Sequence, residues 1–228
     1  MSNTKKNHPK WVNELYAWRY VDWPAFYGMI SSDIKKSTSL IDIGCGDGRV
    51  IRELLKMGLN QRNILGIDID DEMITVAREQ FPEAEFEVED VRKWKPVQDG
   101  KFDMAIAFHV LHFFNKNELT LLFRAINNSL GQSGRLVFLV AHPIRWVKND
   151  LSRYFDGGVK EIRTTWDSNL RISLNTLEDY TEALAGSGFV IERLLEPKPI
   201  KEGKSDIANY QRYRKGPSRL LISAVKRS

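Results

Sequence analysis

From Leu40 onward the chain alternates short apolar runs with amphipathic stretches of helical period. Apolar runs bounded by turn residues suit strands buried on both faces. Their alternation with helices predicts a parallel sheet covered on both sides. The pattern places strands at 39–43, 63–67, 85–88, 102–108 and 135–141, and helices at 49–57, 71–80 and 116–130. The run 102–108 is almost wholly apolar and suits a central strand. Acidic residues open the helix at 71, where a helix dipole favours them.

The alternation then lapses. Residues 143–174 read as irregular, yet they carry Trp146, Tyr154, Phe155 and Trp166, too many aromatics for a disordered tract. This segment is expected to be a lid or substrate-side insertion. A helix follows at 176–187, with Thr176 as N-cap and Asp179 three residues on, a capping-box pattern. Runs at 189–195 and 219–225 read as closing strands, joined by a loop rich in Pro, Lys and Tyr. Before the sheet, Trp11, Tyr16, Trp18, Tyr20, Trp23, Phe26 and Tyr27 mark an aromatic helical lead-in, with Pro24 near the start of a second helix. The fold expected is a single α/β domain over 1–228, with a doubly wound, mostly parallel seven-stranded sheet. Its parts are the lead-in 1–36, the core 37–142, the insertion 143–175 and the C-terminal helix and closing strands 176–228.

Composition adds little to that picture. At 228 residues with 42% hydrophobic and 28% charged, the chain is long enough for a full core and ordinary for a globular protein. No run approaches the roughly 20 apolar residues that span a bilayer, and the first residues lack a signal peptide's apolar centre. A single cysteine, Cys45, excludes an intrachain disulfide. A cytoplasmic setting is expected. The net charge of +4 is unevenly spread: Arg193–Ser228 holds ten Lys or Arg against three Asp or Glu. Such a face can meet an anion, though it is more often simply solvated.

Chemistry concentrates at Leu40-Ile41-Asp42-Ile43-Gly44-Cys45-Gly46-Asp47-Gly48-Arg49-Val50. A buried strand that breaks into alternate glycines and then a helix is a nucleotide-binding turn. A dinucleotide turn needs a third glycine where Arg49 stands. Asp42 and Asp68 make the surroundings acidic, which suits a cationic nucleoside with a free ribose. That combination points to S-adenosylmethionine rather than to NAD.

In a doubly wound sheet, ligands sit beyond the carboxyl ends of the strands. Asp68, about twenty residues past the glycines, has the spacing of a ribose-diol acceptor. Ile69 and Met73 could close on the adenine faces, while Asp90 could accept from its amino group and the Val91 N–H donate to the ring. Asp70 and Asp71 read rather as charges at a helix start.

The stretches LIDIGCGDG at 40–48, GIDIDDEM at 66–73, EDVRKW at 89–94, FDMAIAFHVLHFF at 102–114 and SGRLVFLVAHP at 133–143 resemble a class I S-adenosylmethionine-dependent methyltransferase of the bacterial small-molecule branch. The likeness extends to VDWPA at 21–25 and TLEDYTEALAGSGFVIERLLEP at 176–197, and spans roughly 14–226. It implies a Rossmann-like methyltransferase fold, S-adenosylmethionine as cofactor and S-adenosylhomocysteine as product. It further implies that Gly44, Cys45 and Gly46 border the methionine part and ribose. Asp42 would orient the loop or meet the ammonium through water, and the Phe108 carbonyl would receive that ammonium.

Methyl transfer needs position and, for some acceptors, a base. His142 and His109 are the candidate catalytic imidazoles, with His112 a weaker one at a helix start. Trp18, Tyr20, Trp146 and Tyr154 are candidate substrate-lining aromatics, with Trp23 and Trp166 beside them. The family pattern's His-Arg pair before the 176 helix is here Leu170-Arg171-Ile172-Ser173. The expected reaction methylates an oxygen or nitrogen of a small aromatic or heterocyclic acceptor, without a metal, membrane or nucleic-acid partner. Two readings stay open: a nucleic-acid methyltransferase using the basic C-terminal part, and a non-catalytic S-adenosylmethionine-binding protein. Against the first, Phe108-His109-Val110-Leu111 stands where DNA amino-methylating enzymes carry Asn/Asp-Pro-Pro-aromatic.

Overall fold

The computed structural model describes residues 15–35, 38–96, 100–147, 149–162 and 170–227. The lead-in is one helical arm in three parts: α1 (Leu15–Ala17), a π-helical turn (Trp18–Asp22) and α2 (Trp23–Ile30), with Pro24 in the first turn of α2. Then come β1 (Leu40–Ile43), α3 (Arg49–Lys56), β2 (Ile64–Asp68), α4 (Asp71–Gln80), β3 (Glu85–Val88), β4 (Phe102–Phe108), α5 (Lys116–Ser129) and β5 (Leu130–Ala141). The insertion holds α6 (Pro143–Val147) and the strands β6 (Val159–Ile162) and β7 (Leu170–Ser173). The chain closes with α7 (Leu177–Ala185), β8 (Phe189–Leu195), α8 (Ile207–Arg214) and β9 (Arg219–Lys226).

Seven strands form the main sheet in the order β3-β2-β1-β4-β5-β9-β8, with β6 and β7 as a separate antiparallel ribbon. The first five in that order run parallel, and β9 is antiparallel to both β5 and β8. This is the doubly wound, mostly parallel seven-stranded sheet that the pattern predicts. Alternate residues along each strand serve opposite faces. Ile41, Ile43, Leu136 and Phe138 pack with Phe123 of α5 and Leu184 of α7. Leu40, Ile106, Val137 and Leu139 pack with Phe26 of α2, Ile51 of α3 and Ile74 of α4.

Three local readings are corrected. β5 begins at Leu130, five residues early, because Leu130 pairs with Phe102 before a register shift restores the ladder at Arg135. The insertion is not irregular: Val147, Ile172 and Leu174 give it a small core of its own, against which Trp146 and Tyr154 pack. The stretch expected to be a loop before β9 contains α8, whose N-cap Asp206 accepts from the Asn209 N–H at 3.0 Å. α7 forms with the predicted Thr176–Asp179 capping box.

Part of the C-terminal basic excess is structural. Arg219 is buried, and the Lys226 ammonium donates to the carbonyls of Asn127 (2.8 Å) and Leu130 (2.7 Å) where α5 ends. Among the described residues, no helix is long and apolar enough to cross a membrane.

Candidate active site at the strand ends

Register brings the carboxyl ends of four strands to one level: Ile43 pairs with Ile67 and with Ala107, and Asp68 with Val88. The turn after β1 is held down by the Ile67 carbonyl, which accepts from the Gly44 N–H (2.7 Å) and the Cys45 N–H (3.0 Å). Gly44, Gly46 and Gly48 all have positive φ, at 72°, 54° and 79°. At two of them the protein's own packing also demands glycine. A Cβ on Gly44 would lie 2.7 Å from the Val110 side chain, and one on Gly48 would lie 2.5 Å from the Phe81 ring. Gly48 thus lets the start of α3 pack against Phe81, the C-cap of α4. Arg49 is half-buried against the lead-in arm, its guanidinium 3.9 Å from the Trp18 ring centroid.

Asp68 sits under this turn. Its carboxylate accepts from the Gly46 N–H at 2.8 Å and the Asp70 N–H at 3.0 Å. Each oxygen keeps a further lone pair for a hydroxyl. Asp42 is fully buried, and neither carboxylate oxygen has a hydrogen-bond partner among the described residues. Burial first, and the Asp68 charge second, push its pKa up to about 8. A buried carboxyl without partners is costly unless protonated or compensated. The expected orientation of the loop by Asp42 is therefore not made by a hydrogen bond. Cys45 is buried in the same turn, and burial, reinforced by Asp42 and Asp68, raises its thiol pKa so that it is inert as a nucleophile.

Ile69 is 63% exposed beyond β2, an apolar side chain without cover, while Met73 is half-buried and its N–H donates to the N-cap Asp70 at 3.1 Å. Asp71 is exposed in the first turn of α4. Val91 is buried. Asp90 is already gripped by Arg92, whose Nε lies 2.8 Å from Oδ1 and whose NH2 lies 2.8 Å from Oδ2. The Arg92 hydrogen bond lowers the Asp90 pKa, so an adenine amino group would have to share this carboxylate.

Of the two candidate bases, His142 is committed. It is 5% exposed, its Nδ1 accepts from the Ile144 N–H at 3.2 Å, and its Nε2 lies 3.1 Å from Glu196. An imidazole accepting at Nδ1 carries its proton on Nε2, so no lone pair remains. Burial lowers its pKa against the pull of Glu196. His142 as a base is thereby corrected to a histidine that joins the end of β5 to the segment after β8. His112 is buried, its pKa lowered by burial to about 3, and its Nδ1 has no hydrogen-bond partner among the described residues.

His109 stands apart. It follows Phe108 at the end of β4 in the left-handed conformation, φ 59°, uncommon outside glycine though histidine adopts it more readily than most residues. Its Nε2 lies 3.1 Å from Oδ2 of Asp22, a buried residue of the π-helical turn. Asp22 in turn receives Arg219 Nε at 2.8 Å, and Arg219 is 1% exposed. Burial opposes ionisation of Asp22, but the Arg219 charge and the His109 hydrogen bond outweigh it and hold its pKa well below the usual range. Neither Asp22 nor Arg219 is singled out by sequence reasoning. The available signal is an arginine opening the apolar run of β9.

The aromatics divide. Trp18 borders this region, 5.2 Å from Phe108 by ring centroids and stacked on Trp23 at 5.7 Å. Trp146 lies 6.1 Å from His112. Tyr20 is corrected: it packs on Tyr16 (5.0 Å) and the Gly203 turn, because its backbone joins Ile200. Tyr154 packs within the insertion, and its hydroxyl accepts from the Leu177 N–H at 3.0 Å. Trp166 lies outside the described residues. Concavities of about 260 Å³ by Trp23 and Glu53 and about 420 Å³ by Phe189 and Arg227 contain none of these strand-end residues.

Residues 40–134 match the family model described as a methyltransferase domain. The chain is 31% identical over 121 residues to a trans-aconitate 2-methyltransferase of Variovorax paradoxus, covering 51% of this chain and 46% of that protein. It is 31% identical over 128 residues to a ubiquinone/menaquinone biosynthesis C-methyltransferase of Campylobacter jejuni, covering 54% of this chain and 52% of that one. The chain thus spans about half the length of these curated relatives. Among solved structures, an S-adenosylmethionine-dependent methyltransferase from Mesorhizobium loti is similar over 90% of this chain and 97% of that one, with TM-score 0.72 and 26% identity. The fold is the class I methyltransferase fold.

Proposed function

With residues 40–134 a methyltransferase domain, we propose that the protein is an S-adenosylmethionine-dependent methyltransferase. It moves the methyl group to an oxygen or nitrogen of a small aromatic or heterocyclic acceptor. The observation that carries the reading is the acidic cradle around the glycine turn, with Asp68 beneath it and the partnerless carboxyl of Asp42 buried beside it. The Asp68 carboxylate would repel a dinucleotide's pyrophosphate there, whereas a cationic sulfonium nucleoside would be attracted and would favour ionisation of the buried Asp42 as well.

Asp68 would hold the ribose hydroxyls, Gly44, Cys45 and Gly46 would line the methionine side, and the Phe108 carbonyl would accept from the ammonium. Ile69, Met73 and Val91 would enclose the adenine, with Asp90 sharing its oxygens between Arg92 and the amino group. When bound, S-adenosylmethionine supplies an electrophilic methyl on a positively charged sulfur. Trp18 and Trp146 would keep water from an acceptor placed near His109.

Asp68→Ala tests the placement of the cofactor. Each charge-assisted hydrogen bond contributes about 1.5–3 kcal/mol, so S-adenosylmethionine affinity should fall by roughly 10- to 100-fold or more. Unchanged affinity in a folded variant would contradict the ribose assignment.

A further inference from the structure

The Arg219–Asp22–His109 chain lies outside the set of residues assigned to the cofactor above. It joins three distant parts of the sequence, the π-helical turn, the end of β4 and the start of β9, and its carboxylate and guanidinium are almost wholly enclosed. Arg219 Nε and NH2 lie 2.8 Å and 3.4 Å from the two Asp22 oxygens. A carboxylate so paired only accepts, so the 3.1 Å contact with His109 requires the imidazole proton on Nε2. The lone pair then resides on Nδ1, which has no hydrogen-bond partner among the described residues. The ring is not enclosed, its side chain being 27% exposed.

The position of that lone pair is set by the backbone. β4 is paired to β1 through Ala107 and Ile43, so His109 lies beside the turn at Gly44. Val110, the next residue, fills the space against Gly44. The His109 N–H donates to the Leu139 carbonyl at 2.8 Å, and this holds the residue in its left-handed conformation. Strain of this kind persists where surrounding structure over-determines it, and it clusters at reactive sites. The π-helical turn is a further irregularity of that kind, and it delivers both Asp22 and Trp18 to the same strand ends.

Building on the methyltransferase reading, we propose that His109 is the general base of the reaction, oriented by Asp22 and Arg219, and that the acceptor is therefore a weakly acidic O–H or ring N–H compound. In the transfer, the acceptor's proton passes to His109 Nδ1. The acceptor's electron pair forms the bond to the methyl carbon, and the carbon–sulfur pair remains with sulfur as a neutral thioether. The imidazolium so formed faces the Asp22 carboxylate. Asp22 and Arg219 are positioning residues, because neither reaches the reacting atoms. A carboxylate acceptor, already ionised, would have no use for this arrangement.

Two readouts test the proposal on the full chain. The first is nitrogen NMR of histidine-labelled protein, with His109→Gln used to assign the His109 signals. The expected spectrum at mildly alkaline pH shows a protonated Nε2 and a bare Nδ1. In Asp22→Asn that preference weakens. A proton on Nδ1 in the wild type overturns the relay.

The second readout is methyl transfer from S-adenosylmethionine to a panel of phenols and ring N–H heterocycles of graded acidity, followed by product mass. His109→Gln should lower turnover of weakly acidic phenols by about 10²- to 10⁴-fold, the usual size of general-base catalysis. Nitrophenols already ionised should lose far less. An equal loss for all phenols would show a merely structural histidine. A wild type that binds S-adenosylmethionine but methylates none of the panel overturns the acceptor class. A wild type that binds no S-adenosylmethionine overturns the methyltransferase reading instead. Asp22→Asn puts a buried ion pair at risk, so its folding is checked by circular dichroism, and His109→Gln carries the test without it.

Discussion

At the scale of single residues, two buried ionisable groups govern how the free protein responds to pH. The pKa of Asp42 is pushed up to about 8, from the 3.8 of an ordinary aspartate. Between those values the folded state holds a proton that the unfolded state has lost, so stability falls as pH rises. His112 works the other way, with its pKa lowered from 6.5 to about 3. Over that range the unfolded state holds the extra proton, so stability rises with pH. His142, whose pKa burial also lowers, adds to the His112 slope; above about pH 6.5 the histidines no longer contribute and the Asp42 slope remains. Asp42→Asn should therefore resist alkaline destabilisation. From pH 6.5 to 8, denaturant melts should show the wild type losing up to about 2 kcal/mol more than the variant, at about 1.4 kcal/mol per pKa unit. Parallel stability curves over that interval would show that Asp42 is ionised in the free protein.

At the scale of elements, the lead-in arm is fastened to the sheet by charge as well as by aromatic packing. Phe26 and Ile30 of α2 are buried against the sheet, and the Asp22–Arg219 pair adds a buried ion bridge to β9. Removing one partner of such a pair leaves an uncompensated charge, so Arg219→Ala should destabilise the fold by about 3–5 kcal/mol in a denaturant titration. A cost below about 1 kcal/mol would mean that the pair behaves like an exposed one. The alternating elements of the core are legible because period, turn residues and caps agree: α4, β3, β4 and β8 fall where the pattern puts them. The ribbon β6–β7 is not legible, since its residues Val159–Ile162 alternate only weakly and its core is three side chains. α8 escapes for a similar reason. It buries only Tyr210 and Tyr213, too few to set a helical period against Pro, Lys and Gly on either side.

At the scale of the molecule, the sheet order places Asp42, Asp68 and His109 on or just beyond adjacent strands, with the arm and insertion contributing Trp18 and Trp146. The cofactor side of this arrangement is readable in sequence because it lies in contiguous turns. The relay is not, because its three members come together only when the arm crosses to β9. His142 illustrates the converse: its place at a strand end suggests a base, but only the fold reveals Ile144 and Glu196 on its two nitrogens. The central claim is that the acidic glycine turn takes a sulfonium nucleoside. Calorimetric titration of the purified chain with S-adenosylmethionine, S-adenosylhomocysteine and NAD tests it directly. Saturable binding of the first two without NAD is the expected result. Tight NAD binding, or no binding of any of the three, would contradict the account.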